Sequence, residues 1–335
     1  MQRFETLVAS VAAGLLVATA QLPARVPAQA AEAPLMRDAL WRSIFARPQN
    51  PRPAPADPAV EALRQALGFE LFNDPRLSGT GTRACSSCHR PDLAFTDGQP
   101  RAIGLDGRPL RRNTPHLWNL AEARNLYWDG REPSLEAQAR VPLHAANELA
   151  VDMPRTLRSL AGDTRIAAAF AAAFPGRAAF GEAEIVAALA AYERTLVSPP
   201  TRFDSWVGGD DAALSEREKA GFAIFVGKGG CVSCHGGWRF TDDQFHDIGL
   251  ATGDPGRGGV PGGTPGIPAF KTPGLRQVAR TAPYMHDGSL ATLDAVVAHY
   301  TERRILRPSL SPNMIRDLEL DAGEQAALIA FLATL

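Results

Sequence analysis

Apolar residues recur at three- and four-residue spacing along much of the chain, a pattern typical of amphipathic helices. The longest such series is Ile185, Leu189, Tyr192 and Leu196. It stops at Pro199-Pro200, and because proline cannot continue a helix we place a domain boundary there. Strand-type alternation is scarce, so the pattern predicts an all-α fold. The same spacing predicts further helices over 59–72, 133–149, 154–173, 215–226, 293–300 and 322–335.

Length and charge narrow the classes of protein that this chain can represent. At 335 residues the chain exceeds the usual single-domain size, which favours two domains. Its 35 Lys+Arg and 36 Asp+Glu nearly cancel. Bulk charge therefore argues against a nucleic-acid partner or an anionic membrane surface.

The N-terminus has the pattern of an export signal. Arg3 precedes an apolar run over 7–20, and Ala28-Gln29-Ala30 offers small residues for cleavage. A run of about 14 apolar residues is shorter than the roughly 20 that span a bilayer. We therefore predict a signal peptide over 1–30, a mature start near Ala31, a periplasmic location and no stable membrane insertion.

The only four cysteines form two Cys-x-x-Cys-His pentapeptides, Cys85-Ser86-Ser87-Cys88-His89 and Cys231-Val232-Ser233-Cys234-His235. An oxidising compartment would ordinarily favour disulfides, and zinc is another use of such pairs. The adjacent histidine favours haem instead, because two thiols can add to the haem vinyl groups while the imidazole reaches the iron. We predict two covalently bound haem c groups with His89 and His235 as proximal ligands.

A weak internal repeat accompanies these motifs. Gly68-Phe69-x-x-Phe72 precedes the first pentapeptide, and Gly221-Phe222-x-x-Phe225 precedes the second. We predict two cytochrome c-like haem domains with long loops packed on the haems. The glycine- and proline-rich loop over 252–274 is either mobile or, as we expect, folded against the second haem. The predicted organisation is a proline-rich arm over 31–58, a first haem domain over 59–200 and a second over 201–335.

The sixth ligand of each iron decides what a haem protein does. Spacing alone does not choose among the candidates, which are the five histidines outside the pentapeptides and Met36, Met153, Met285 and Met314.

From Phe69 to the C-terminus the chain resembles the bacterial di-haem cytochrome c peroxidase and MauG family. Besides the two pentapeptides, the matching motifs are Arg112-Asn113-Thr114-Pro115, Trp128-Asp129-Gly130-Arg131 with Leu135-Glu136-x-Gln138, Phe270-Lys271-x-Pro273-x-Leu275-Arg276, and Ala282-Pro283-Tyr284-Met285-His286-Asp287-Gly288. The resemblance implies a peroxide-activating enzyme in which hydrogen peroxide reacts at the first haem.

The resemblance also implies that the two haems differ. Where ordinary members carry a methionine ligand to the second haem, in the setting Ala-Thr-Leu-(x)6-Met, this chain has Tyr300, as MauG-type members do. Tyr300 is therefore the implied axial ligand, and its phenolate would favour oxidised iron. The alternatives are a core role for Tyr300, with His299 or Met285 as the ligand.

At the first haem, ordinary peroxidases carry a blocking histidine directly after the Ile-Gly pair, and this chain has Leu105 there. Leucine cannot bind iron, so the resemblance implies an open first haem. His116 and His144 are possible substitutes, although we expect surface or supporting roles for both.

Further roles come from the same resemblance. Gln138 and Glu148 match the distal pair, with Glu148 as acid and base; a bend near Pro142 would bring them together. Trp128 matches the tryptophan that passes electrons between the haems. Calcium ligands between the domains are implied at Asn113, Thr281 and Pro283.

One position departs from the MauG pattern. The surface tryptophan of some MauG proteins, two residues before the second pentapeptide, is replaced by Gly229; Trp206 and Trp238 are alternatives, with packing as their expected role. We predict a MauG-like oxidoreductase acting on a protein partner. The alternatives are a cytochrome c peroxidase that takes electrons from a small cytochrome c or copper protein (cupredoxin), and a non-enzymatic electron carrier.

Overall fold

The fold was analysed in a computed structural model that describes residues 32–50, 54–314 and 317–335. The predicted signal peptide lies outside these residues. Ten α-helices occur in the described part of the chain: α1 (Glu32–Phe45), α2 (Pro58–Phe72), α3 (Leu135–His144), α4 (Met153–Gly162), α5 (Thr164–Ala173), α6 (Glu182–Glu193), α7 (Arg202–Val207), α8 (Glu216–Val226), α9 (Leu293–Ala298) and α10 (Ala322–Leu332). The one sheet among these residues pairs β1 (Phe245–His246) with antiparallel β2 (Phe270–Lys271). The predicted helical class is confirmed.

Local chemistry explains where several helices differ from the predicted spans. The span 154–173 is two helices, because α4 ends at Gly162 and the Asp163 side chain accepts hydrogen bonds from the amides of Arg165 and Ile166, which starts α5. The span 133–149 is also too long, since α3 ends at His144, two residues after its internal Pro142. Helices α1 and α7 were not predicted.

Residues 41–335 form one compact unit that contains two large apolar cores. The first core draws its buried side chains from residues between Leu67 and Leu196. The second combines Phe45 of α1 with residues between Phe203 and Leu335. Because both cores belong to one compact unit, the division into domains at residue 200 stays a prediction.

Each core is built on a close crossing of two helices at a glycine. A Cβ atom on Gly68 of α2 would lie 1.9 Å from the Ala188 carbonyl oxygen of α6, and one on Gly221 of α8 would lie 2.0 Å from the Ala327 carbonyl oxygen of α10. Only glycine lets the backbones approach this closely. The two crossings therefore repeat the same geometry in the two halves of the chain.

We expect Gly68→Ala to destabilise the haem-loaded protein by about 1–3 kcal/mol, because the added methyl group forces α2 and α6 apart. The measurement is the thermal unfolding midpoint from circular dichroism. Gly162→Ala is the matched control, since a Cβ there meets no atom within 4 Å. Equal midpoints for the two variants would contradict the crossing geometry.

Candidate active site

A cavity of about 750 Å³ lies inside the compact unit, and both Cys-x-x-Cys-His segments line it. Each segment begins in a short 3-10 turn, Cys85–Ser87 in the first half and Cys231–Ser233 in the second. The long loop predicted over 252–274 contributes residues to the same wall, including Phe270 and Lys271. The cavity is therefore shared between the two halves of the chain.

The two histidines next to these cysteines are held in the same way. His89 Nδ1 lies 3.0 Å from the Phe95 carbonyl oxygen, and His235 Nδ1 lies 2.9 Å from the Phe240 carbonyl oxygen. A carbonyl oxygen only accepts, so Nδ1 carries the proton and Nε2 keeps its lone pair. Burial lowers the pKa of both imidazoles and favours this neutral form. Both histidines thus fit a proximal haem ligand.

Tyr300 lies at the second half of the cavity. It follows α9 in a π-helical turn, His299–Arg303, and lines the cavity wall. Burial raises the pKa of its phenol, with further contributions from the nearby Cys231 and Cys234 thiols. A buried phenol of this kind stays protonated unless a cation replaces the proton, as bound metal ions do. Its position beside the second cysteine pair fits an iron ligand.

The alternatives to Tyr300 are placed differently. His299 is 3% exposed, and its Nε2 lies 3.0 Å from the Ile248 carbonyl oxygen, outside the cavity lining. Met285 and Met314 both line the cavity, whereas Met153 packs on the first apolar core. The Met36 side chain lies outside the described part. Tyr300, Met285 and Met314 therefore all line the cavity, and the effect of the Cys231 and Cys234 thiols on the pKa of the Tyr300 phenol indicates that this phenol lies near the second cysteine pair.

Gln138, Glu148 and Tyr127 line the first half of the cavity. Burial raises the pKa of the Glu148 carboxyl, and the positive charge of Arg131 partly offsets this effect. The charge of Glu148 in turn contributes to the raised pKa values of Tyr127 and Cys88, so its carboxyl lies near both. A buried carboxyl near the first cysteine pair is suited to exchanging protons with a bound molecule.

The end of α3 brings Glu148 to this wall. Helix α3 stops at His144, and the Leu149 amide donates to the Pro142 carbonyl oxygen over 3.1 Å in the turn that follows. Ala150 closes the turn with a φ of 47°. The chain therefore folds back, and Gln138 on the helix and Glu148 in the turn face the same cavity. The bend predicted near Pro142 is therefore the end of α3 followed by a tight turn.

Histidines near the first pentapeptide have other partners. His116 Nε2 lies 3.0 Å from the Gly274 carbonyl oxygen, and its Nδ1 accepts from the Trp118 amide at 3.1 Å. Both of its nitrogens are therefore occupied. His144 is exposed and pairs with Glu182 at 3.1 Å. Leu105 lies outside the cavity lining, and its amide donates to the Asn147 carbonyl oxygen over 2.9 Å.

Trp128 connects the two halves. Its Nε1 donates to the Asn113 carbonyl oxygen over 3.0 Å, and its own carbonyl oxygen accepts from the Lys271 amide of β2 at 2.8 Å. The ring also lines the cavity. The indole is therefore held by the first half of the chain, and the backbone of the same residue bonds the second half.

The three implied calcium ligands, Asn113, Thr281 and Pro283, all line the cavity. Asn113 Nδ2 donates to the carbonyl oxygens of Gln99 at 3.0 Å and Pro100 at 3.2 Å, which turns Oδ1 the other way. Among the described residues, the carbonyl oxygens of Thr281 and Pro283 accept no hydrogen bond from a backbone amide. Oxygen donors of this type fit a hard cation.

Packing explains the departure at Gly229. A Cβ there would lie 2.7 Å from the Ile224 carbonyl oxygen and 3.3 Å from Cys231 Sγ, so a tryptophan cannot be accommodated without a backbone shift. Trp206 is 5% exposed, and the Arg42 guanidinium lies 4.5 Å from its ring. Trp238 is half-buried with the Arg47 guanidinium 5.6 Å from its ring.

Some groups at the cavity were not predicted from the sequence. The Arg131 guanidinium lies 3.6 Å from the Tyr127 ring centroid, and Arg112 bonds Asp129 and Asp254. The motif Trp-Asp-Gly-Arg pointed to this region without indicating the pairs. The place of Glu193 in the cavity wall was also not predicted. Its only signal in the sequence is a charged residue at the end of the apolar helix α6.

Comparison with known proteins identifies the family. The profile described as "Di-haem cytochrome c peroxidase" matches residues 62–212. The methylamine utilization protein MauG of Methylorubrum extorquens is 45% identical over 89% of this chain and 84% of its own length. The chain belongs to the di-haem cytochrome c peroxidase family. As a member it is an enzyme, a peroxidase-type oxidoreductase with two haem cofactors, a peroxide substrate and a protein partner.

Other members of the di-haem cytochrome c peroxidase family give the range of the similarity. The cytochrome c peroxidase Ccp of Escherichia coli is 33% identical over 73% of this chain and 54% of its own length. A solved MauG-like protein associated with microbial copper homeostasis is 32% identical, with a TM-score of 0.78 over 86% of this chain and 94% of that one. The di-haem peroxidase BthA of Burkholderia thailandensis has a TM-score of 0.72 at 25% identity over 87% of this chain and 89% of that one.

In the described residues, no helix is both long enough and apolar enough to cross a membrane.

Proposed function

We propose that this protein is a periplasmic MauG-like oxidoreductase, which uses hydrogen peroxide to oxidise an aromatic residue of a partner protein. The observation that carries the proposal is the inequality of the two halves of the cavity. Tyr300 stands beside the second cysteine pair, and the two histidines considered for the first haem are engaged elsewhere. The MauG relative at 45% identity supports the same assignment.

The residues that would hold the two haems are the four cysteines, as thioether attachments, and His89 and His235, as proximal iron ligands. The bound haems supply the redox chemistry at iron, including the reaction with peroxide. The protein contributes the orientation of each imidazole, through the carbonyl oxygens of Phe95 and Phe240. Tyr300 would hold the iron of the haem attached at Cys231 and Cys234.

Glu148 is the acid and base of the proposed reaction. As a carboxylate it takes a proton from bound hydrogen peroxide at a carboxyl oxygen, and as the acid it returns that proton to the leaving oxygen. The Gln138 side chain offers an amide donor to the same bound molecule. Burial of Glu148 supports this role, because its raised pKa brings the two protonation states closer in energy at neutral pH.

Trp128 is the residue that we assign to electron transfer between the two halves. Its indole is fixed by hydrogen bonds at both its side chain and its backbone. A fixed aromatic ring needs little reorganisation when its charge changes. Asn113 Oδ1 and the carbonyl oxygens of Thr281 and Pro283 would hold a calcium ion beside it, which would join the segments that carry the tryptophan and the Tyr-x-His-Asp-Gly motif.

The donor assay separates this function from that of an ordinary cytochrome c peroxidase. Purified ferric protein is mixed with hydrogen peroxide and a reduced small soluble cytochrome c, and oxidation of the donor is followed by absorbance. For a protein-oxidising enzyme we expect kcat/KM for this donor below about 10⁴ M⁻¹s⁻¹, under the usual range for a natural substrate.

A kcat/KM for the small cytochrome of about 10⁶ M⁻¹s⁻¹ or more would contradict the proposal and establish the peroxidase alternative. The same assay with a reduced copper protein extends the test to the second class of donor. Haem content is measured on the same sample, so that a slow oxidation of the donor is not confused with incomplete haem loading.

A further inference from the structure

Glu193, at the C-terminal end of α6, is a buried carboxyl in the wall of the cavity. It is 6% exposed and lines the cavity, and its helix is otherwise largely apolar. Within the described residues, its Oε2 atom has no hydrogen-bond partner. A carboxylate in this state is strongly disfavoured, so the group is expected to remain protonated or to be stabilised by a nearby positive charge.

The second half of the chain has an apolar residue at the position that corresponds to Glu193. The would-be Cβ of Gly68 lies 2.8 Å from Cβ of Tyr192, and that of Gly221 lies 2.7 Å from Cβ of Phe331. Tyr192 and Phe331 are therefore equivalent, and the residue after each is Glu193 in the first half and Leu332 in the second. Leu332 also lines the cavity. A leucine fills this position well, so packing does not require a carboxyl there.

The charged groups around Glu193 compensate only in part for the burial of its carboxyl. Burial raises its pKa to about 8, with Arg194 lowering it and Glu136 raising it. The Arg194 guanidinium pairs with Glu136 at 2.7 Å. Glu193 also contributes to the raised pKa values of Tyr192 on its own helix and of Cys85 in the haem-attachment turn. The Glu193 carboxyl thus lies near the first cysteine of the first pentapeptide.

We propose that Glu193 is a redox-linked protonation site of the first haem, which releases its proton when that haem is oxidised. The inference rests on the proposed function in one respect, namely that the first haem is attached at Cys85 and Cys88. Oxidation adds one positive charge at the iron, and this charge favours the carboxylate of Glu193 over the neutral acid. One electron leaves the iron for the electrode or oxidant, and one proton leaves Glu193 for water.

The test is a spectroelectrochemical titration of the first haem between about pH 6 and about pH 10, on both sides of the Glu193 pKa of about 8. Higher pH favours the oxidised haem, so we expect the wild-type potential to fall as pH rises. The limit is a tenfold change in the redox equilibrium per pH unit, or about 59 mV for one electron. Glu193→Gln mimics the protonated acid, so its potential should match the wild type at low pH and diverge above it at high pH.

Glu184→Gln is the matched control, because Glu184 lies on the same helix but uses its carboxylate to accept the Gly181 amide at 2.9 Å. It should keep the wild-type slope. A dependence of the potential on pH that remains in all variants comes from other titratable groups. Glu193→Leu copies Leu332 and serves as a second variant if the glutamine variant does not load haem.

Parallel potential curves for wild type, Glu193→Gln and Glu193→Leu, with both haems present, would overturn this inference and leave the proposed function intact. Absence of haem from Cys85 and Cys88 in the wild type would overturn both. In the supporting case, infrared difference spectra also lose a protonated-carboxyl band on oxidation of the wild type, and neither Glu193 variant shows that loss.

Discussion

Replacing Tyr300 by methionine is expected to raise the reduction potential of the second haem by on the order of 0.1–0.3 V, within the roughly 0.8 V range that axial ligands cover. A thioether stabilises ferrous iron, whereas a phenolate stabilises oxidised iron. The variant should still carry two covalent haems, because the cysteines are unchanged. It should lose the long-lived oxidised state after peroxide, as followed by stopped-flow absorbance.

Tyr284→Phe is the control for this prediction. Tyr284 also lines the cavity, but its hydroxyl donates to the Val278 carbonyl oxygen over 3.0 Å. The control should retain the wild-type potential of the second haem. An unchanged potential in Tyr300→Met would remove Tyr300 from the iron, and the cavity-lining Met285 and Met314 would then be the next candidates.

Glu148→Gln is expected to slow the reaction with hydrogen peroxide by about 10²–10⁴-fold, the usual contribution of a positioned acid or base. Glutamine keeps the size of the side chain but cannot take the proton. The measurement is the second-order rate constant for the first spectral change after mixing with peroxide. Glu136→Gln is the control, since Glu136 lies on α3 and pairs with Arg194 at 2.7 Å.

The pH dependence of this rate follows from the same carboxyl. Burial raises the pKa of Glu148 above that of an exposed glutamate. The carboxylate is the active form, so the wild-type rate should fall as pH drops through this raised pKa. The Glu148→Gln rate should show no such acidic limb. A limb that persists unchanged in the variant would assign the proton transfer to another group.

The helical class could be predicted from the sequence because it depends on a local pattern, the helical spacing of apolar residues. The two Cys-x-x-Cys-His segments are also a local pattern, and covalent attachment of haem there stays a prediction. The positions of Tyr300, Glu148 and Trp128 at one cavity required the family resemblance, since their spacing along the chain does not reveal which loops meet. Their roles stay predictions. Helix α1 was missed because prolines dominate the segment that follows it, and its Phe45 packs on residues more than 150 positions away.

The sequence also does not show where packing between distant segments excludes a side chain or buries a charged one. Gly229 is one glycine among 30, and only the close approach of the Ile224 carbonyl oxygen shows why no side chain fits. In the sequence Glu193 is only the polar end of a largely apolar helix, and the fold places it in the wall of the cavity. Such contacts arise between segments that are distant in sequence, where spacing carries no information.

The difference between the two haems can be tested by electron paramagnetic resonance and absorbance spectroscopy of the resting ferric protein, before and after one equivalent of hydrogen peroxide without any donor. We expect a high-spin first haem that is open for peroxide, a low-spin second haem with tyrosinate ligation, and a long-lived oxidised product. Two low-spin haems with methionine ligation and no lasting product would contradict it.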